Sequence, residues 1–226
     1  MIPAYDEEKY LAACLTQIKK CETDDYEIVV VDAGSEDGTV GIARKYGCRV
    51  VMGRKNGVGD ARNAGAKSSK GGIVAFLDAD SMPYQGWLDV IESEFKKHGN
   101  AVAVGGPTDY GQARYFIAQH PFWLNHITKH FGFFFLSGNN AAYKRDFFLK
   151  VGGFRPICCE ETEFALRIGK HRNNMIFSER MRVRLSPRRF KQQGFYRTLF
   201  RWFILDLKIF LGIFEPGARY GGEIGK

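Results

Sequence analysis

The sequence predicts an α/β fold, a mostly parallel twisted sheet flanked by helices, on three observations. Short β-rich runs alternate with amphipathic stretches through the first half of the chain, the pattern of βαβ units. Residues 26–32 (Tyr-Glu-Ile-Val-Val-Val-Asp) and 73–77 (Ile-Val-Ala-Phe-Leu) are nearly all-apolar runs, as expected of strands covered on both faces. The 226 residues suffice for one such domain with a full core and are too few for two of ordinary size.

The elements follow in order. Ile2 ends what reads as a clipped first strand, stopped by Pro3, and such a strand would leave an apolar slot in the sheet. Residues 7–20 carry Tyr10, Leu11, Cys14, Leu15 and Ile18 at helical spacing. After strand 26–32 the Gly34-Ser-Glu-Asp-Gly38 turn leads to a helix ending near residue 46, then a short strand over 49–52. A helix suits 59–69, and Gly71-Gly72 separates it from strand 73–77, which delivers Asp78 and Asp80 at its carboxyl end. Ligands of open α/β sheets collect at that edge. A helix over 86–98 and a strand over 101–105 precede an aromatic-rich stretch, 110–135, with no assignable period. Helices are expected over 146–151, 160–170 and 195–214, and residues 180–184 alternate like an edge strand with its arginines to solvent. Residues 1–186 read as the α/β domain and 187–226 as a basic amphipathic extension, the aromatic-rich helical C-terminal tail.

Composition narrows the class. With 45% apolar, 26% charged and 14% aromatic residues, the chain is neither collagen-like, disulfide-stapled nor disordered. The net charge of +8 sits in the tail: from Arg180 onward 11 Lys/Arg face 3 Asp/Glu, so the body is neutral. Basic charge permits nucleic-acid binding, but no recognised module accompanies it, and nucleic acid is not expected as a partner. Five cysteines, an odd number without C-x-x-C, predict free thiols in a reducing compartment, and adjacent Cys158 and Cys159 do not have the spacing of a metal site. The longest uncharged stretches, 115–128 and 130–143, are 14 residues each, short of the roughly 18 that a membrane span needs. Asp6, Glu7 and Glu8 stand where a signal peptide is basic, so a cytoplasmic location is expected.

Three acidic residues fall at strand ends: Asp32, Asp78 and Asp80. So few hard oxygen ligands suit Mg²⁺ or Mn²⁺ bridging a substrate's phosphates, although a lone D-x-D more often caps a turn. Gly57-Val-Gly-Asp-Ala-Arg62 superficially suggests a dinucleotide fingerprint, yet its sixth position is Arg62 and it does not follow the first strand directly. A Gly-rich helix entry bearing Arg62 could meet phosphate or a nucleotide base, or be a flexible turn with a surface arginine.

Seven segments in this order resemble the family-2 glycosyltransferases, nucleotide-sugar enzymes of the GT-A fold. They are Ile2-Pro-Ala-Tyr-Asp-Glu-Glu8, Val30-Val-Asp-Ala-Gly-Ser-Glu-Asp-Gly-Thr39, Gly59-Asp-Ala-Arg-Asn-Ala-Gly65, Phe76-Leu-Asp-Ala-Asp80, Ser137-Gly-Asn-Asn-Ala-Ala142, Val151-Gly-Gly-Phe154 and Glu160-Glu-Thr-Glu-Phe-Ala-Leu-Arg167. The resemblance implies a pocket for base and ribose at Pro3, Ala4, Tyr5 and Asp32, with Arg62 near the base or diphosphate. It implies Asp78 and Asp80 as the metal-binding D-x-D, Asp80 the direct ligand of Mg²⁺ or Mn²⁺. Glu160-Glu161 stands where the family has Glu-Asp, so Glu161 inherits the role of catalytic base and Glu160 competes for it. Ser137, Gly138, Asn139 and Asn140 match a segment on the acceptor side. Asp6, Ala33 and Glu161 depart from the family's Asn, second Asp and Asp.

The expected reaction is inverting, metal-dependent transfer from a nucleoside-diphosphate sugar, uridine favoured over guanosine, to a lipid-linked or glycan acceptor. Charge developing on the leaving diphosphate calls for a Lewis acid, the acceptor hydroxyl for a general base, and one displacement inverts the anomeric carbon. This scheme requires Asp32, Asp80 and Glu161 to converge on one cavity. Nucleotidyl transfer lacks a lysine-bearing phosphate loop after the first strand, and a degenerate sugar-nucleotide binder is the non-catalytic alternative. His120, His126, His130, Trp87, Trp123 and residues 131–135 are expected to pack or face solvent, the last with an option on an apolar acceptor groove. On a helix over 195–214, Arg197, Arg201 and Lys208 form a narrow basic stripe beside abundant aromatics, which suits peripheral contact with an anionic membrane through residues 188–214 or packing on the domain. Thr198-Leu-Phe-Arg-Trp202 is weakly similar to the Q-x-x-R-W motif of processive relatives, with Thr198 in place of glutamine.

Overall fold

A computed structural model describes residues 1–21, 25–112 and 134–214. Parallel strands β1 (Ile2–Ala4), β2 (Val29–Asp32) and β3 (Arg49–Met52) pair in the order β1-β2-β3, with α1 (Glu8–Ile18) and α2 (Thr39–Lys45) as crossovers. α1 buries Leu11, Cys14, Leu15 and Ile18, the one-sided apolar spacing that made it legible. α3 (Val58–Ser68) leads to β4 (Ile73–Leu77). β4 meets β1 at the chain start, where the Met1 nitrogen donates to Ala75 O (2.8 Å) and Leu77 N donates to Met1 O (3.1 Å).

From β4 onward the sheet is mixed. After β5 (Ser81–Pro83) and α4 (Trp87–Lys97) come β6 (Ala103–Gly105), β7 (Thr108–Asp109), β8 (Asn140–Lys144), α5 (Arg145–Lys150), α6 (Glu160–Arg167), a 3₁₀ turn (Gly169–Asn174), β9 (Met175–Phe177) and β10 (Val183–Leu185). The order is β4-β8-β6-β9, with β8 antiparallel to both neighbours. β8 escaped the sequence reading because Asn-Ala-Ala-Tyr-Lys has neither β-branched residues nor clean alternation, and it becomes a strand by filling the gap between β4 and β6. β5, β10 and β7 form a second, small sheet. Here the expectation of an edge strand over 180–184 is corrected: β10 lies between β5 and β7, while Arg182 and Arg184 face outward over Tyr84.

Two cores flank the large sheet. One joins α1 and α4 to its first face through Leu11, Leu15, Trp87, Ile91 and Phe95. The other is aromatic: Phe76, Tyr143, Phe148, Phe154 and Phe164 sit with ring centroids 4.9–6.0 Å apart in tilted and edge contacts. Phe134 packs into this second core, and Trp87 is buried with its indole N–H on Asn140 Oδ1 (2.8 Å). His120, His126, His130 and Trp123 lie outside the described residues. The chain closes with α7 (Arg188–Gln193) and α8 (Phe195–Phe210), the latter stopping four residues short of expectation at Gly212, whose φ of 75° favours glycine. All five cysteines are free thiols.

Candidate active site

The carboxyl ends of β1 and β4 open onto a cavity of about 500 Å³, closed by the entry to α3, the loop before α6, and α7 with α8. Arg62 is its organising group. It sits on the second turn of α3, which begins at Gly57 with φ of 107°, and Gly59 lets that turn approach Glu160 and Phe154, because a Cβ there would stand 3.2–3.3 Å from both. Arg62 is 2% exposed, and its guanidinium donates to Asp78 Oδ1 (2.9 Å), Glu160 Oε1 (3.0 Å) and Glu161 Oε1 (2.9 Å). A dry cation with three anions is satisfied only as a unit. Arg62 is held charged by Asp78, Glu161 and Glu160 against the cost of its burial. Burial raises both glutamates above the ordinary carboxylate range and Arg62 opposes the rise, while Glu161 and Asp78 add to it at Glu160 and Asp78 adds to it at Glu161.

The two glutamates are not equivalent. Glu160 is tucked against Gly59 with its side chain 10% exposed, whereas Glu161 keeps 23% and lies against Gly138. A Cβ on Gly138 would overlap both Glu161 Oε1 and the Arg62 guanidinium, so this position accepts only glycine without displacing the pair. α6 starts from Cys159 at φ of 54°, a strained conformation for a side-chain-bearing residue, and it aims the first-turn carboxylates from the positive end of the helix.

Asp78 and Asp80 follow β4 but part company. Asp78 joins Arg62, while Asp80 Oδ2 forms an ion pair with Arg188 Nε on α7 (2.8 Å), whose terminal nitrogens grip Glu7. Burial lifts the Asp80 carboxyl to about 6, Asp78 adding to the rise and Arg188 working against it. The second oxygen of each aspartate accepts no hydrogen bond among the described residues, so the pair presents two hard anionic donors to the cavity. That set fits Mg²⁺ or Mn²⁺ completed by substrate oxygens and water. Among the described residues no group of three His, Cys, Asp or Glu could hold a metal unaided.

The other expected residues divide. Pro3, Tyr5, Ser137 and Asn139 line the cavity, as does Phe135, and Ala4 is buried in β1 behind it. Asp32 does not line it: its carboxylate accepts from Gly34 N (2.9 Å), Ser35 N (3.0 Å) and Ser35 Oγ (2.5 Å), holding the β2–α2 turn. The expected convergence of three acids therefore fails for Asp32, whose expected place was the base-and-ribose pocket, and holds for Asp80 and Glu161, the acids expected to take the metal and the proton. Asn140 is also displaced from the acceptor side. It is fully buried, accepts from Trp87 and donates to Pro107 O (3.1 Å) and Met181 O (2.8 Å), a structural clamp between sheets. Glu7 and Arg188 went unnoticed as site residues; they lie 181 positions apart, and no local pattern links them.

Residues 1–159 match the family model for glycosyl transferase family 2, and the chain belongs to that family. The match ends one residue before the α6 glutamates. Glycosyltransferase AglE of Haloferax volcanii is 37% identical over 97 residues, 39% of this chain and 32% of the relative. The glucosyl-dolichyl phosphate glucuronosyltransferase of the same organism is 25% identical over 204 residues, 79% and 63% respectively. The chain thus spans about a third to under two thirds of these relatives. Among solved structures, Mycobacterium tuberculosis glucosyl-3-phosphoglycerate synthase with Mn²⁺, UDP-glucose and phosphoglyceric acid superposes with a TM-score of 0.67 at 19% identity, covering 94% of this chain and 78% of that one. The Pyrobaculum calidifontis mannosyltransferase with GDP-mannose and Mn²⁺ gives 0.65 at 21% identity, covering 82% and 55%. The fold is therefore of the GT-A type.

Proposed function

We propose that this chain transfers a sugar from a nucleoside-diphosphate donor, a UDP-sugar before a GDP-sugar, to a hydroxyl or phosphate of a lipid-linked or cell-envelope glycan acceptor, with inversion. The observation that carries the reading is the pairing across one cavity of the Asp78–Asp80 wall with the half-open Glu161 on Arg62. Residues 1–186 supply the catalytic body in this reading, and 187–226 the extension, of which α7 and α8 close the cavity. Tyr5, braced by Lys55 at 4.7 Å over its ring, offers a flat face for the base.

A divalent ion held by Asp78 and Asp80 would supply Lewis-acid stabilisation of the leaving diphosphate. Arg62 holds Glu161 in place and, with Glu160 as its buried counter-ion, keeps its own charge through the reaction. Glu161 takes the proton of the attacking hydroxyl from the face opposite the diphosphate, a contribution of typically 10²- to 10⁴-fold. Because its carboxyl is held above the ordinary range, it is a stronger base than a solvated glutamate. Free thiols throughout the chain suit a reducing compartment, which supports a cytoplasmic reading.

The test is release of nucleoside diphosphate with Mn²⁺ across a panel of sugar donors and lipid acceptors. Glu161→Gln is expected to lower kcat by at least about 100-fold with the donor KM nearly unchanged. A product that keeps the donor's anomeric configuration by NMR would refute the single displacement.

A further inference from the structure

α8 has two working faces. Thr198, Trp202, Leu205, Asp206 and Ile209 turn inward, where Trp202, Leu205 and Asp206 line the cavity and Asp206 accepts from Thr162 Oγ1 (2.7 Å). Tyr196, Phe200, Phe203, Leu207 and Phe210 turn outward, each between 43% and 81% exposed. Their spacing of four and three residues puts them within an arc of about 80° along the whole helix. Leu211, Ile213 and Phe214 prolong this apolar surface beyond the helix end. Scattered apolar residues are normal on a surface, but a continuous aromatic row of this length marks a contact site.

The charge beside the row identifies the contact. Arg197, Arg201 and Lys208 fall at about 100–140° from it, on one flank. Lys191 of the preceding α7 adds to the same segment, Arg189 and Arg201 stand where this flank meets the cavity they also line, and Arg189, Lys191, Arg197 and Arg201 form no ion pair among the described residues. The only carboxylate between residues 187 and 214 is Asp206, which faces inward. A second copy of this chain docked through the row would bring like charge against like. An anionic bilayer answers both the aromatic row and its basic flank. At 16 residues α8 is about 24 Å long, shorter than the roughly 30 Å hydrocarbon core. No helix among the described residues is long and apolar enough to cross a membrane. The geometry suits a helix lying in the interface.

We propose that the outward row of α8 and its basic flank are a docking surface for an anionic lipid bilayer. Docked so, the inward face of the same helix sets the cavity at headgroup level, which deepens the reading of the cavity as a transfer site by naming a membrane-anchored acceptor, and in that clause rests on it.

The test uses the full chain and flotation with vesicles of equal parts phosphatidylglycerol and phosphatidylcholine, against phosphatidylcholine alone. Binding is expected to the anionic vesicles, several-fold weaker at 0.5 M than at 0.1 M salt. Phe200→Ser/Phe203→Ser should lower the partition at least tenfold with an unchanged melting temperature, and Lys191→Gln/Arg197→Gln should lower it on anionic vesicles alone. Recovery of the unmodified chain in the soluble fraction overturns the proposal. So does a dimer in solution that Phe200→Ser/Phe203→Ser converts to monomer without any flotation. Flotation retained in a chain that releases no nucleoside diphosphate upholds the docking surface and counts against the transfer reading instead.

Discussion

Replacing Arg62 by methionine, similar in length and uncharged, isolates what its guanidinium does. In the folded state the change leaves Asp78, Glu160 and Glu161 facing one another with no cation among them. Asp78 and Glu161 keep 31% and 23% side-chain exposure, so water absorbs part of the repulsion, and the cost falls on Glu160 at 10%. Breaking a buried pair in this way costs about 3–5 kcal/mol. With a urea dependence of about 3 kcal/mol per M, the midpoint should fall by roughly 1–1.7 M. The loss must also depend on pH. Glu160 holds its proton above the 4.5 of a solvated glutamate, and losing Arg62 raises it further. Over the range between the unfolded and folded values, the folded chain binds more protons than the unfolded one, so stability falls as pH rises. The gap between the two proteins should therefore be wide at about pH 8 and narrow at about pH 5, read by urea unfolding of tryptophan fluorescence. Equal loss at both values, or none at pH 8, would show that packing rather than charge holds the cluster.

Three further outcomes follow from the same geometry. Gly138→Ala drives a methyl group into Glu161 and Arg62, and should destabilise by about 1–3 kcal/mol while lowering kcat at least tenfold, both read on purified protein. Asn140→Leu leaves the Trp87 indole and the Met181 carbonyl without the partner Asn140 gave them, while Pro107 O keeps Val183 N, for a loss of roughly 1–3 kcal/mol in chemical denaturation. The acid limb of kcat/KM should lie above the ordinary glutamate range and belong to Glu160 and Glu161 jointly; a limb near 4.5 would place the base elsewhere.

Local pattern carried much of the fold. The all-apolar β2 and β4, the one-sided α1 and α4, and Asp78 and Asp80 just past a strand end were all legible, because burial on both faces, helical spacing and the end of a strand are properties of neighbouring residues. β8 was not, since its strand state comes from the partners on either side. The family was likewise readable from the order of segments.

What the chain order could not contain was who meets whom. Asp32 and Asn140 belong to matching motifs, yet one is consumed by its own turn and the other by three buried partners, because an unpaired polar atom in the interior costs more than a motif can impose. Arg62 reaches its glutamates across 98 and 99 positions, and Arg188 reaches Glu7 across 181. Residue types and their local spacing set the helices, the strands and the identity of the acids; only packing in three dimensions decided which acids share a cation and which of them keep a face on the cavity.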